Sequence, residues 1–161
     1  GTGKIPKVKC PGCKGHGVRR REEEIKITVP AGIENGEMIR LPGKGEAVKA
    51  GNAGDLYVKI HVKPHAVLRR EGTNLLMDLP VKLTDALTGT TVPIETLEGK
   101  TLEVKIPVMK RAEELLRVKG KGVPQGGSSR GDLIIRLEVA LPQKLSGKAK
   151  RAIDDLKEEG L

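Results

Sequence analysis

Ile39-Arg40-Leu41-Pro42-Gly43-Lys44-Gly45 and Leu116-Arg117-Val118-Lys119-Gly120-Lys121-Gly122 are the same phrase written twice, 77 residues apart. Extending the comparison outward at that spacing keeps the match without a gap. Val29-Pro30 falls on Ile106-Pro107, and Gly54-Asp55-Leu56 falls on Gly131-Asp132-Leu133. The apolar alternation also coincides: Ile25, Ile27 and Val29 against Leu102, Val104 and Ile106, and Val58, Ile60 and Val62 against Ile135, Leu137 and Val139. So many matches in one register mean two copies of one structural unit.

Each copy reads as β. Ile25, Ile27 and Val29 alternate with Lys26 and Thr28, the period of a half-buried strand. A short strand is expected from Met38 to Leu41, then a long glycine-bearing loop, then a strand launched by Gly54-Asp55 over Leu56 to Val62. The second copy predicts strands over Thr101 to Ile106, Leu115 to Val118 and Leu133 to Leu141. It has more in front: a strand around Leu75 to Leu83, a helical turn at Thr84 to Leu87, a strand near Thr91 to Ile94, and a turn at Leu97 to Lys100. Gly43-Lys44-Gly45 and its copy are turn glycines rather than a phosphate loop, because the G-x-x-x-x-G-K-[ST] pattern and a following helix are both missing.

The place where the first copy should carry its leading strands holds Cys10-Pro11-Gly12-Cys13-Lys14-Gly15-His16-Gly17, a C-x-x-C-x-G-x-G zinc-knuckle unit. Two thiolates at this spacing grip one side of a tetrahedral Zn²⁺, and the glycines permit the tight turn beneath it. A closed site takes four ligands, and the chain has two cysteines, so Cys10 and Cys13 are read as half of a site. Gly1-Thr2-Gly3 resembles the tail of a preceding unit, so the chain is expected to begin inside a zinc module. A redox dithiol or two inert thiols are the alternatives. A redox pair is expected beside a βαβ pattern, which does not follow Cys13. His16, between two glycines, reads as solvated, and His61 and His65 receive no metal role.

Composition bounds the rest. The 161 residues include no Phe or Trp and one Tyr, so any core is aliphatic. The net charge is +9, and Lys4, Lys7, Lys9, Lys14, Arg19, Arg20 and Arg21 contribute most of it, with no acid before residue 22. A basic balance brings nucleic acid forward as a partner, but stacking aromatics and a recognition helix are lacking. No run is long and apolar enough to cross a membrane, and the opening residues do not read as a signal peptide. Two cysteines make no disulfide framework, so a reducing cytoplasm is the expected compartment. Near the end, Ser146 is a plausible N-cap for a helix whose apolar stripe runs through Ala149, Ala152, Ile153 and Leu156.

Together these residues resemble the C-terminal half of a DnaJ-type J-domain co-chaperone. The quoted phrases that carry the likeness are Cys10 to Gly17, Val29-Pro30-Ala31-Gly32, Ile39-Arg40-Leu41, Gly43 to Ala47, Gly54 to Val58, Arg70 to Leu75, Lys119 to Gly122 and Gly131-Asp132-Leu133. The resemblance implies an all-β fold of two tandem β-sandwich-like subdomains, the first incomplete, with a zinc-knuckle remnant and a C-terminal helix. It implies boundaries of 1–21 for the zinc remnant, 22–70 and 71–142 for the subdomains, and 143–161 for the helix. It further implies a non-enzymatic protein that holds unfolded clients for a DnaK-type ATPase chaperone. Zinc would be shared with cysteines outside this chain. The family's client groove falls on Ile25, Ile27 and Leu68, although Ile25 and Ile27 also alternate like ordinary core residues. Homodimerisation falls on Ala149, Ile153 and Leu156, whose stripe could equally pack on the chain's own second unit. The J-domain, the Gly/Phe linker and three of the four zinc units are not in the sequence, so a fragment is expected. The competing reading is a basic zinc-knuckle module that binds nucleic acid.

Overall fold

A computed structural model describes residues 8, 10–49, 51–127 and 129–160. Gly1-Thr2-Gly3, Lys4, Lys7 and Lys9, which the sequence reading used, lie outside the described residues. The chain is all-β with a short C-terminal helix, and it divides into two units, residues 1–64 and 65–161. The division lies ahead of the expected 70/71 boundary, because Leu68–Glu71 joins a sheet of the second unit.

Among the described residues, the first unit holds one antiparallel pair, β1 (Met38–Leu41) and β2 (Leu56–Lys59). The second unit has a four-stranded sheet in the order β3 (Leu68–Glu71), β4 (Asn74–Lys82), β8 (Leu133–Ala140) and β7 (Glu113–Val118), with β4 and β8 parallel. A hairpin of β5 (Thr90–Glu95) and β6 (Thr101–Ile106) forms a separate sheet. A short helix, α1 (Leu83–Thr88), joins β4 to β5. The sheets share one aliphatic core: Leu75, Leu133, Ile135 and Leu137 from the larger one, Ile94, Val104 and Ile106 from the hairpin, with Leu68, Ala86, Met109 and Val123 around them. Alternation along β8 sends Leu133, Ile135 and Leu137 to that core, and Arg136 to solvent. Ile135 is 0% exposed.

The repeat in sequence is a repeat in pairing. Ile39 faces Val58 and Leu41 faces Leu56, just as Leu116 faces Ile135 and Val118 faces Leu133, so the register carries over residue for residue at a spacing of 77. The long loops repeat as well. Gly45 N–H donates to Gly54 O at 2.8 Å, and Gly122 N–H donates to Gly131 O at 2.8 Å. The Asp55 carboxylate accepts from Gly43 N–H at 2.9 Å and pairs with Arg40 at 2.7 Å. Asp132 accepts from Gly120 N–H at 2.8 Å and pairs with Arg117. Gly43 and Gly120 have the same φ of 67°, which a residue with a Cβ adopts only under strain. The turn-glycine reading of both loops is thereby given its geometry, an arginine–aspartate clamp around a left-handed glycine.

The structure departs from the expected strand over Ile25 to Val29, since residues 19–30 are in no strand or helix. The physical reason lies in the missing ladder partner. In the second unit β6 pairs with β5, and the positions 77 earlier than Thr90–Glu95 are Cys13 to Val18, which fold as turns. With no neighbour there to bond, alternation alone does not make a strand. No residue of the first unit is buried among those described, whereas the second unit supplies the whole core.

Candidate functional site

The cysteine turn is built by backbone hydrogen bonds. Lys14 N–H donates to Cys10 O and His16 N–H to Cys13 O, both at 2.8 Å. Lys14, Gly15 and Gly17 take positive φ values of 49°, 94° and 77°, which curl the chain around Cys13. The Gly17 N–H, then the Gly15 N–H, then the Cys10 side chain hold the Cys13 thiol below its ordinary range, because hydrogen bonds to sulfur favour the thiolate. A thiolate seated on converging N–H groups is the donor a zinc ion takes, so these residues fit half of a tetrahedral site. Among the described residues no group of three or more His, Cys, Asp or Glu side chains comes together. Both cysteines are free, Cys10 exposed and Cys13 half-buried.

Gly17 serves a second purpose that the sequence did not reveal. A Cβ there would lie 2.8 Å from Lys49 Cγ, so the stem of Lys49 rests on the turn. Lys49 belongs to the loop between β1 and β2, and Lys44 of the same loop pairs with Glu23 at 2.7 Å. The Lys44 ammonium draws the Glu23 carboxyl below its ordinary range. The first long loop therefore reaches back to the cysteine turn and to the start of residues 22–30.

That segment, residues 22–30, carries the expected client-contacting residues Ile25 and Ile27. Ile25 is half-buried, Ile27 is 36% exposed and Val29 is also exposed. Leu68 lies in the second unit, at the start of edge strand β3 opposite Met77, and is 6% exposed within that unit's core. His65, assigned no metal role, caps this strand: its Nδ1 accepts from Leu68 N–H at 3.1 Å.

The C-terminal helix, α2 (Gly147–Glu158), begins where expected, with Ser146 Oγ accepting from Ala149 N–H at 3.2 Å. No residue of α2 is buried. Ala149 and Ile153 are half-buried, and Leu156 is 43% exposed. The apolar stripe is thus open along its C-terminal part.

Sequence reasoning missed the clamp carboxylates, Asp55 and Asp132, although both stood in the aligned Gly-Asp pairs. Their partners, Arg40 and Arg117, were aligned as well. What was not read was that the two matched pairs touch.

The family model for the DnaJ C terminal domain matches residues 2–142. The chain belongs to the DnaJ C-terminal domain family. Among curated relatives, Chaperone protein DnaJ of Psychrobacter arcticus is 43% identical over 152 residues, covering 93% of this chain and 40% of the relative. Chaperone protein DnaJ 2 of Nocardia farcinica is 40% identical over 159 residues, with 98% and 41% covered. Chaperone protein DnaJ of Fusobacterium nucleatum subsp. polymorphum is 39% identical over 160 residues, with 98% and 40% covered. The chain thus spans about 40% of the length of these DnaJ relatives. No helix among the described residues is long and apolar enough to cross a membrane.

Proposed function

We propose that this chain is the client-holding part of a DnaJ-type co-chaperone, which takes up unfolded polypeptide for a DnaK-type ATPase chaperone in a reducing cytoplasm. Membership of the DnaJ C-terminal domain family supports the class. The single observation that favours a holding site is residues 22–30, a stretch in no strand or helix, with half-buried Ile25 and exposed Ile27 and Val29 and no strand paired to it among the described residues. Such a backbone offers hydrogen bonds to any extended peptide, while its alternating side chains offer apolar contact, so affinity tolerates many sequences. No catalytic step is proposed.

Cys10 and Cys13 supply two thiolates to a zinc ion completed from outside this chain, and the bound metal would act as a structural cross-link. The stripe Ala149, Ile153 and Leu156 pairs two copies, placing two holding sites on one particle and raising avidity for long chains. Leu68, the third residue that the resemblance implies, belongs to the second unit. Because it is buried, Leu68→Ser reads packing as well as binding, and the test rests on Ile27.

Binding of a fluorescent Leu-rich peptide to the parent and to Ile27→Ser is the measurement. Partial burial of an Ile side chain contributes about 1 kcal/mol, so roughly five-fold weaker binding with unchanged thermal stability is expected. Equal binding by a folded variant would place the site elsewhere. The exposed run Arg19 to Arg21 favours a second reading, nucleic-acid binding. Oligonucleotide affinity that falls steeply with salt, and is lost on replacing those arginines, would support it.

A further inference from the structure

The turn leading into β1 contains Asn35-Gly36, and its geometry differs from the matching place in the second unit. Gly36 N–H donates to Ile60 O at 2.8 Å, while Ile60 N–H donates to Glu37 O at 2.8 Å. Two residues on one strand thus oppose a single residue on the other, with Gly36 at a φ of 87°, the arrangement of a glycine β-bulge. Just beyond, Val62 N–H donates to Asn35 Oδ1 at 3.0 Å. At the corresponding place in the second unit Val139 N–H donates to Ala112 O at 3.0 Å. A side-chain amide in the first unit therefore does the work of a backbone carbonyl in the second.

We propose that Asn35 is a self-modification site whose chemistry is held off by the native pairing of residues 60–62. Asn-Gly is the dipeptide in which the following backbone nitrogen meets least hindrance on its way to the side-chain amide carbon. In the reaction the Gly36 nitrogen loses its proton and bonds to Asn35 Cγ, the Cγ–Nδ2 bond breaks, and ammonia leaves. Water then adds across either carbonyl of the five-membered imide, giving aspartate or isoaspartate. No oxidant or further reactant is consumed.

In the folded chain both ring-forming groups are engaged. The attacking nitrogen keeps its proton on Ile60 O, and the amide that must swing toward it is tethered by Val62 N–H. Asn35 itself is exposed and open to water. Ring closure thus requires residues 60–62 to release residues 35–36, and the rate follows local opening of the first unit rather than of the buried second one. Once formed, isoaspartate lengthens the main chain by a methylene inside the bulge and removes the amide that caps Val62. Asn35 becomes a permanent record of how often the first unit has opened.

The test incubates the full chain in mildly alkaline buffer, folded and in strong urea, and follows residue 35 by peptide mapping for the mass gain of amide-to-carboxyl conversion. The folded chain is expected to react about thirty-fold more slowly than the unfolded chain, the factor that two ordinary net hydrogen bonds set. Urea below the unfolding transition should raise the folded rate. Asn35→Gln, which must close a larger ring, should remain unmodified at that position in both states. Hydrogen exchange on the purified isoaspartate form should show lost protection at Ile60 and Val62. Equal rates in folded and unfolded chains, a folded rate indifferent to urea, or unchanged protection after modification would each overturn the proposal.

Discussion

Gly122→Ala tests the physical basis of the repeated loop more sharply than any core substitution. A Cβ at Gly122 would lie 2.4 Å from Gly131 C, 2.5 Å from Asp132 N and 2.7 Å from Asp132 O. All three are backbone atoms leading into β8, so no side chain can rotate away. The chain at Gly131–Asp132 must retreat by roughly 1 Å to restore ordinary contact distances. That retreat breaks the 2.8 Å bond from Gly122 N–H to Gly131 O and pulls the Asp132 carboxylate from Gly120 N–H. Two net hydrogen bonds contribute about 2 kcal/mol, and overpacking costs about 2 kcal/mol more. The expected loss is therefore about 4 kcal/mol of the second unit's stability. Gly120→Ala makes the control, because a Cβ there meets nothing within 4 Å and only its φ of 67° is strained. Its expected cost is about 1 kcal/mol. The lone aromatic, Tyr57, lies in the first unit, so aromatic signals do not report on the second. Native-state hydrogen exchange at Ile135 and Leu137, both in the buried face of β8, reads its stability directly. A Gly122→Ala protein as stable as Gly120→Ala would refute the close-approach explanation. The same order is expected for Gly45→Ala over Gly43→Ala, with a smaller gap, since the nearest backbone atoms at Gly45 are 2.7 and 2.8 Å away.

Ile135→Ala empties the most buried position in the four-stranded sheet and should destabilise the second unit by about 3 kcal/mol in urea titration. Asp132 predicts an acid limb: Gly120 N–H first and Arg117 second hold its carboxyl below the ordinary aspartate range. Its folded value is depressed, so its contribution is present above the unfolded aspartate range and is lost as pH falls through the folded value. Exchange protection at Leu133 should follow that limb and lose it in Asp132→Asn. Cys13 should be alkylated at lower pH in the folded chain than in the urea-unfolded chain, because the Gly17 and Gly15 N–H groups that favour its thiolate are placed only by the native turn. Coincident profiles would show that the turn does not act on the sulfur. Ser146→Ala should cost α2 about 1 kcal/mol of helix stability, read as a loss of helical circular dichroism.

How much of this was legible in the sequence depended on the range of the interaction involved. The strands β1, β2, β7 and β8, the glycine loops, the turn before β6 and the Ser146 cap all rest on local chemistry or on the internal repeat, and a chain read against itself displays them. The resemblance that led to the DnaJ family rests on those same phrases. Ile25 to Val29 shows the opposite case. Its alternation is that of β6, yet β6 is a strand because β5 lies beside it, and alternation says which face is apolar without saying whether a neighbour exists to complete the ladder. Leu68 is decided in the same way, by pairing with Met77 in the second unit rather than by its place in the chain. The clamp of Arg117 on Asp132, the rest of Lys49 on Gly17, and the hold of Val62 on Asn35 join residues 15, 32 and 27 positions apart. Sequence by itself determined the units and their internal period. Only the tertiary structure decided which backbone groups found partners, because that choice depends on distance in space and periodicity carries no information about it.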